Sequence, residues 1–204
     1  MVIAFDLDGT ISNPFDGISR SINHALQEVG QKALPGDSLK PYIGPPLQVI
    51  FSELLEDPEN MNPAIEYYLE RYKETGYREN VLYDGVADLL HDLSETGVKL
   101  FVATSKRQDV AVKVLEHFRI DGLFDDILGC GLTRKKSDLL MQIKSNHNPS
   151  EYIMVGDRHL DMEAASQTGY KGIGVLWGFG SETELRESGA DHLIENPHQL
   201  LEII

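Results

Sequence analysis

Short apolar runs alternate with amphipathic stretches along most of this chain. Val2-Ile3-Ala4-Phe5, running on to Leu7 across Asp6, is compact and β-branched at its start, which predicts a buried strand ending near Asp6. Pro14 then opens a stretch with Ile18, Ile22, Ala25, Leu26 and Val29 on one helical face, and Gly30 suits its end. Pro35, Gly36, Pro41, Gly44, Pro45 and Pro46 break up the next stretch, and helical patterns return over 47–55 and 65–72. No strand-like run falls between 12 and 80. After the turn Tyr83-Asp84-Gly85 the rhythm changes to helix 85–95, strand 98–103, a helix carrying Val110, Val114, Leu115 and Phe118, and a short strand 126–128. Helix 137–145, strand 152–155, helix 161–168, strand 172–176, helix 181–188, a strand at 191–194 and a terminal helix complete the pattern.

Apolar strands separated by helices predict an α/β fold, a doubly wound parallel sheet with helices on both faces. The helical block does not share that rhythm. The expectation is therefore a core of residues 1–12 plus 81–204, interrupted by a small helical domain over 13–80, with Asn13-Pro14 and Tyr83-Asp84-Gly85 as the hinge strands. A chain of 204 residues suits one domain carrying such an insertion.

In an open parallel sheet, ligands bind beyond the carboxyl ends of the strands. The polar residues there are Asp6, Asp8, Gly9 and Thr10; Thr104, Ser105 and Lys106; and Gly156, Asp157 and, one helical turn on, Asp161. Lys136 starts a helix after the 126–128 strand. Separated elements thus bring four carboxylates, hydroxyls and a lysine to one rim. Crowded carboxylates repel one another, and a hard divalent cation such as Mg2+ relieves that conflict. The hydroxyls, the ammonium and the N–H groups at helix starts suit a tetrahedral oxyanion. Together they describe a phosphoryl-transfer site.

Phe5-Asp6-Leu7-Asp8-Gly9-Thr10, Thr104 closing Leu-Phe-Val-Ala-Thr, Lys136 at a helix start, and Val155-Gly156-Asp157-Arg158-His159-Leu160-Asp161 resemble, in order, the four motifs of the haloacid dehalogenase superfamily. The similarity spans essentially the whole chain. The 13–80 block matches the family's helical cap, while Tyr42–Leu47 and Gly174–Gly180 resemble the phosphoglycolate phosphatase-like branch, which includes 5′-nucleotidase-type members. The resemblance implies that Asp6 is a nucleophile forming an aspartyl-phosphate and that Asp8 is the acid and base. It implies that Thr104 and Lys136, with Ser105 beside them, bind phosphate. It implies that Asp6, the Asp8 carbonyl, Asp157 and Asp161 form the Mg2+ site. In many members a proline comes after the lysine. Here Arg134-Lys135-Lys136-Ser137 offers two lysines, of which Lys136 begins the helical pattern and is preferred.

Composition narrows the partners. Acids outnumber bases 33 to 18, a formal charge of −15, with no basic block, which disfavours nucleic acid and anionic membranes. No apolar stretch approaches the roughly 18 residues of a membrane span, and Val2–Phe5 is too short for a signal peptide. A cytoplasmic protein, monomer or homodimer, acting on a small phosphate ester is expected. Phosphoglycolate is placed narrowly ahead of a nucleoside monophosphate; pyrophosphatase and mutase chemistry trail. A receiver-like phospho-acceptor switch also clusters Asp, Thr, Lys and Mg2+, but would need neither the helical block nor Asp8.

Several residues carry blander expectations. Arg158 and Lys106 read as surface residues, His159 as a rim residue, and Tyr67, Tyr68, Tyr72 and Tyr77 as packing inside the helical block. The acids of 53–79, eight against three bases, read as a solvated face. Cys130 lacks the arginine six residues on that a cysteine phosphatase would want, and Gly172-x-Gly174 lacks the third glycine of a dinucleotide loop.

Overall fold

The computed structural model describes residues 1–131 and 134–204. Its centre is a six-stranded, all-parallel sheet of β1 (Val2–Phe5), β4 (Lys99–Thr104), β5 (Asp126–Gly129), β6 (Tyr152–Gly156), β7 (Lys171–Val175) and β8 (His192–Ile194), in the order β5-β4-β1-β6-β7-β8. The order reverses at β1: β4 lies on one side and β6 on the other, so the ligand-binding crevice of such sheets falls at its carboxyl end. Phe5 pairs with both Val102 and Val155, which brings Asp6 to the same rim as Thr104 and Asp157, each one residue further along.

Period-two alternation feeds two cores. Ile3, Phe5, Leu100, Val102, Ile153 and Val155 enter the cluster on one face; Val2, Ala4, Phe101, Ala103 and Met154 enter the other. Helices α4 (Val86–Glu95) and α5 (Gln108–Phe118) cover the first face, and α6 (Lys136–Asn146) with α7 (His159–Thr168) covers the second. Two short helices, α8 (Glu182–Glu187) and α9 (Gln199–Ile203), flank the last strands.

Between β1 and α4 the chain forms α1 (Phe15–Glu28), a 3-10 segment Gly36–Tyr42, α2 (Leu47–Leu54) and α3 (Met61–Glu74). These build a third cluster from Ile18, Ile22, Leu39, Ile43, Phe51, Ile65, Tyr68 and Tyr72, to which the sheet unit adds Val110 from α5. Ser12–Asn13 (β2) pairs antiparallel with Val81–Leu82 (β3), so the two connections leave and re-enter side by side. The paired residues lie one or two positions before the expected hinge strands at Asn13-Pro14 and Tyr83-Asp84-Gly85, because a two-residue ribbon is too short for any periodicity to fix its bounds. Helix α3 starts four residues before the predicted 65 because Pro63, in its first turn, costs no intrahelical bond. Of the acids over 53–79, Glu79 departs from the expected solvated face: it is half-buried and accepts from Arg20 and Arg71. No helix among the described residues is long and apolar enough to cross a membrane.

Candidate active site

The site begins where β1 stops. Asp6 N–H donates to the Val155 carbonyl at 2.9 Å, the last sheet bond of the strand. The chain then folds back: the N–H groups of Ile11 and Ser12 both donate to the Leu7 carbonyl at 3.0 Å. Asp6 and Asp8 are both buried at this turn. Gly9 has φ +91°, and a Cβ there would lie 2.2 Å from Asp157 Oδ2. The left-handed backbone and the close approach both require glycine.

Asp157 comes directly after β6 and is fully buried, accepting from Thr10 Oγ1 (3.2 Å) and from Phe179 N–H (2.8 Å). Asp161, in the first turn of α7, accepts from Arg158 N–H at 3.0 Å. Among the described residues, Asp6, Asp157 and Asp161 each offer a carboxylate oxygen within 4.8 Å of the others. Residues far apart in sequence therefore meet, as the rim reading requires. The Asp8 carboxylate is not in this group. It turns toward the pocket and pairs through Oδ2 with Lys106 at 2.7 Å.

Lys136, the first residue of α6, is buried and bonded to both Asp161 and Asp6, the latter at 3.1 Å. Lys135 next to it is exposed. Thr104 is buried at the end of β4, and Ser105 is half-buried beside it; both line the pocket with Asp6 and Asp8.

Burial and like charge dominate the electrostatics. Burial, then the neighbouring Asp161 and Asp6, pushes the Asp157 carboxyl up to about 8. Burial also raises Asp161 and Asp8, against the pull of Lys136 and Lys106 respectively. Burial alone would lower Lys136, but Asp161 and Asp6 outweigh it and hold its pKa above the ordinary lysine value. Three carboxylates thus share one ammonium. Among the described residues no partner reaches Asp6 Oδ1 or Asp8 Oδ1, although both are buried. Orphaned oxygens in an all-oxygen donor set fit a hard divalent cation and an incoming ligand.

The pocket, about 700 Å3 including its open mouth, lies between this rim and the helical block. Ile18, Tyr42, Gly44–Leu47, Ile50, Tyr68 and Tyr72 face it from the helical side. Tyr68 and Tyr72 are therefore both packing residues and pocket wall, not packing alone. Lys106 corrects the surface expectation: its side chain is 8% exposed, because Asp8 and Tyr72 Oη (3.2 Å) enclose the ammonium and the Tyr72 ring lies 4.3 Å away. A signal for it existed only as a lysine two residues past a strand end; the enclosing tyrosine comes from α3. Arg158 is likewise no free surface residue, since it bonds to Glu184 and to the Ile43 carbonyl. His159 lies at the rim as expected, with Nδ1 2.9 Å from Glu184.

Cys130 is buried, and burial pushes its thiol up to about 11, so it is a poor nucleophile. Alkylation with iodoacetamide at about pH 8 should be slow and leave activity intact, as assayed by mass spectrometry and turnover. Rapid inactivation would contradict this.

Comparison with known proteins agrees with this geometry. The profile of the haloacid dehalogenase-like hydrolases matches residues 3–175. A 5′-nucleotidase of Pseudomonas aeruginosa is 38% identical over 196 residues, covering 93% of this chain and 89% of that protein. A phosphoglycolate phosphatase of Vibrio vulnificus is 26% identical over 218 residues, covering 100% and 95%. The solved structure of Protein Tyrosine Kinase A (PtkA) from Mycobacterium tuberculosis superposes with a TM-score of 0.84 at 31% identity, covering 99% of this chain and 96% of that one. The chain belongs to the haloacid dehalogenase-like hydrolase family.

Proposed function

We propose that this protein is a Mg2+-dependent phosphomonoesterase that works through an aspartyl-phosphate on Asp6. The observation that carries the reading is Asp6 itself, a buried carboxylate with one oxygen on Lys136 and the other unpartnered at the floor of a pocket. Asp6, Asp157 and the Asp8 carbonyl would hold the cation, with Asp161 in support. Bound there, Mg2+ supplies positive charge that offsets the carboxylates and the phosphoryl oxygens.

The free Asp6 oxygen attacks phosphorus; the bond from phosphorus to the ester oxygen breaks, and Asp8 gives that oxygen its proton. In the second step Asp8 takes a proton from water, whose oxygen attacks the same phosphorus and releases phosphate and the Asp6 carboxylate. One carboxyl serves as acid and then as base. Lys136 and the Thr104 hydroxyl hold phosphoryl oxygens, with Ser105 beside them. Residues 13–80 act as a cap that closes over the site and shapes the pocket. Asp8 on the pocket side favours turnover over the long-lived phosphoryl group of a receiver-like switch.

A specific observation favours nucleoside monophosphates over phosphoglycolate. The two cations in the pocket wall are already paired, Lys106 with Asp8 and Arg107 with Asp109 through two bonds of 3.0 and 3.1 Å. The pocket wall also carries Ile18, Ile50 and Tyr68, on which a nucleoside can lay an uncharged aromatic face, whereas a glycolate carboxylate gains nothing from them. The higher identity to the 5′-nucleotidase points the same way. Phosphate release from a panel of 5′-nucleotides, phosphoglycolate, phosphotyrosine and p-nitrophenyl phosphate, with Mg2+ or with chelator, tests both levels. Release that persists in chelator, or none from any ester, would contradict the reading.

The raised Asp157 pKa gives a pH dependence. The folded, metal-free chain keeps a proton on Asp157 up to about 8, whereas the unfolded chain gives it up near 3.8. That contribution to stability is full below 3.8 and is lost as pH rises toward about 8. Mg2+ competes with the same proton, so saturating Mg2+ should raise the melting temperature more at about pH 8 than at about pH 6. An equal or reversed difference in calorimetry would contradict it.

A further inference from the structure

We propose that Arg158 is a positioning residue, a latch that holds the Gly44–Pro46 loop down over the phosphoryl site. The inference rests on the phosphatase reading for what that loop covers. Arg158 stands directly after Asp157, and its main chain belongs to the carboxylate cluster: its N–H donates to Asp161 Oδ2, and its carbonyl accepts from Asp161 N–H, each at 3.0 Å. Its side chain leaves the rim and crosses to the helical block, where Nη1 donates to the Ile43 carbonyl at 2.7 Å. Ile43 is itself fully buried in the helical cluster, so this bond ties that whole unit to the carboxylate loop. The next residues, Gly44, Pro45 and Pro46, form the pocket wall that faces Asp6 and Asp8. Gly44 takes φ +103° against the Arg158 side chain; a Cβ there would stand 3.6 Å from Arg158 Cγ.

The guanidinium is held from behind. Its Nε donates to Glu184 Oε1 at 2.9 Å, and the same oxygen accepts from His159 N–H at 3.0 Å. Partial burial would raise the Glu184 carboxyl, but the His159 N–H and the Arg158 and His159 side chains hold it down at about 2, so this anchor stays charged. A planar fork can serve a carboxylate and a carbonyl at once; a lysine has one compact head for both. Arg158 therefore places the carboxylates with its main chain and the loop with its side chain.

Arg158→Met keeps the length and removes the donors. It should raise KM for the best ester of the panel about tenfold with kcat changed less than about twofold, because the loop contributes to binding before and during the reaction alike. Arg158→Lys should recover part of the loss. Hydrogen exchange of the peptide over 42–50 should accelerate in Arg158→Met, while β1, β4 and β6 keep their protection. Unchanged exchange at 42–50, faster exchange throughout the molecule, or a fall in kcat with KM intact would overturn the latch. The exchange readout needs no substrate, so it judges the latch even if no ester is turned over, a result that would sink the phosphatase reading instead.

Discussion

Asp6→Asn should abolish phosphate release, by at least about 10⁴-fold in kcat, the scale seen when a covalent nucleophile is removed. The amide has the shape of the carboxylate but no lone pair basic enough to form the acyl phosphate. Folding should survive. The substitution removes one of three mutually repelling carboxylates and leaves Lys136 its bond to Asp161. Circular dichroism and melting temperature should therefore stay near those of the parent while turnover disappears. Activity within tenfold of the parent would mean that another group attacks phosphorus.

Lys136→Met should damage both stability and activity. The ammonium is bonded to Asp161 and Asp6 inside the protein, and its removal strands two buried carboxylates. Breaking a buried pair from one side typically costs about 3–5 kcal/mol. The metal-free variant should melt well below the parent, and most so at high pH, where the carboxylates cannot escape by taking protons. Saturating Mg2+ should recover much of the melting temperature, because it supplies the missing charge. Turnover should stay down by about 10²–10³-fold even then, since a donor to the phosphoryl oxygens is gone. Full activity with Mg2+ would show that Lys136 has a structural role only. The same substitution at the exposed Lys135 should do neither.

The parts of this molecule that can be read from its sequence are those fixed by short-range rules. Residues 2–5, 100–104 and 153–156 are buried on both faces and so appear as nearly plain apolar runs. Once they are parallel neighbours, their carboxyl ends must fall on one rim, and Thr104, the last residue of its strand, lies there with Asp6 and Asp157, the first residues after theirs. Lys136 is preferred to Lys135 because it begins the helical pattern, and its burial results from that position. What cannot be read depends on contacts that no local pattern encodes. Lys106 is buried because Tyr72, 34 residues before it, closes over it. Arg158 is committed because the Ile43 carbonyl, 115 residues away, lies within its reach. The 3-10 segment Gly36–Tyr42 is legible only as a break, since Pro35, Gly36 and Pro41 interrupt any period while the buried Leu39 still pins it to the helical cluster. The proposal of a nucleoside monophosphate draws on a feature of the same kind: the pairing of Lys106 and Arg107 exists only in the fold.

If Asp6 is the proposed nucleophile, it becomes phosphorylated during turnover. The direct measurement is to quench the reaction with acid during steady turnover in Mg2+, reduce with borohydride, and map the modified peptide by mass spectrometry. Reduction of an aspartyl-phosphate yields homoserine, expected at position 6 alone and absent without Mg2+ or ester. Turnover with no modified residue, or with the label on any residue other than Asp6, would contradict it.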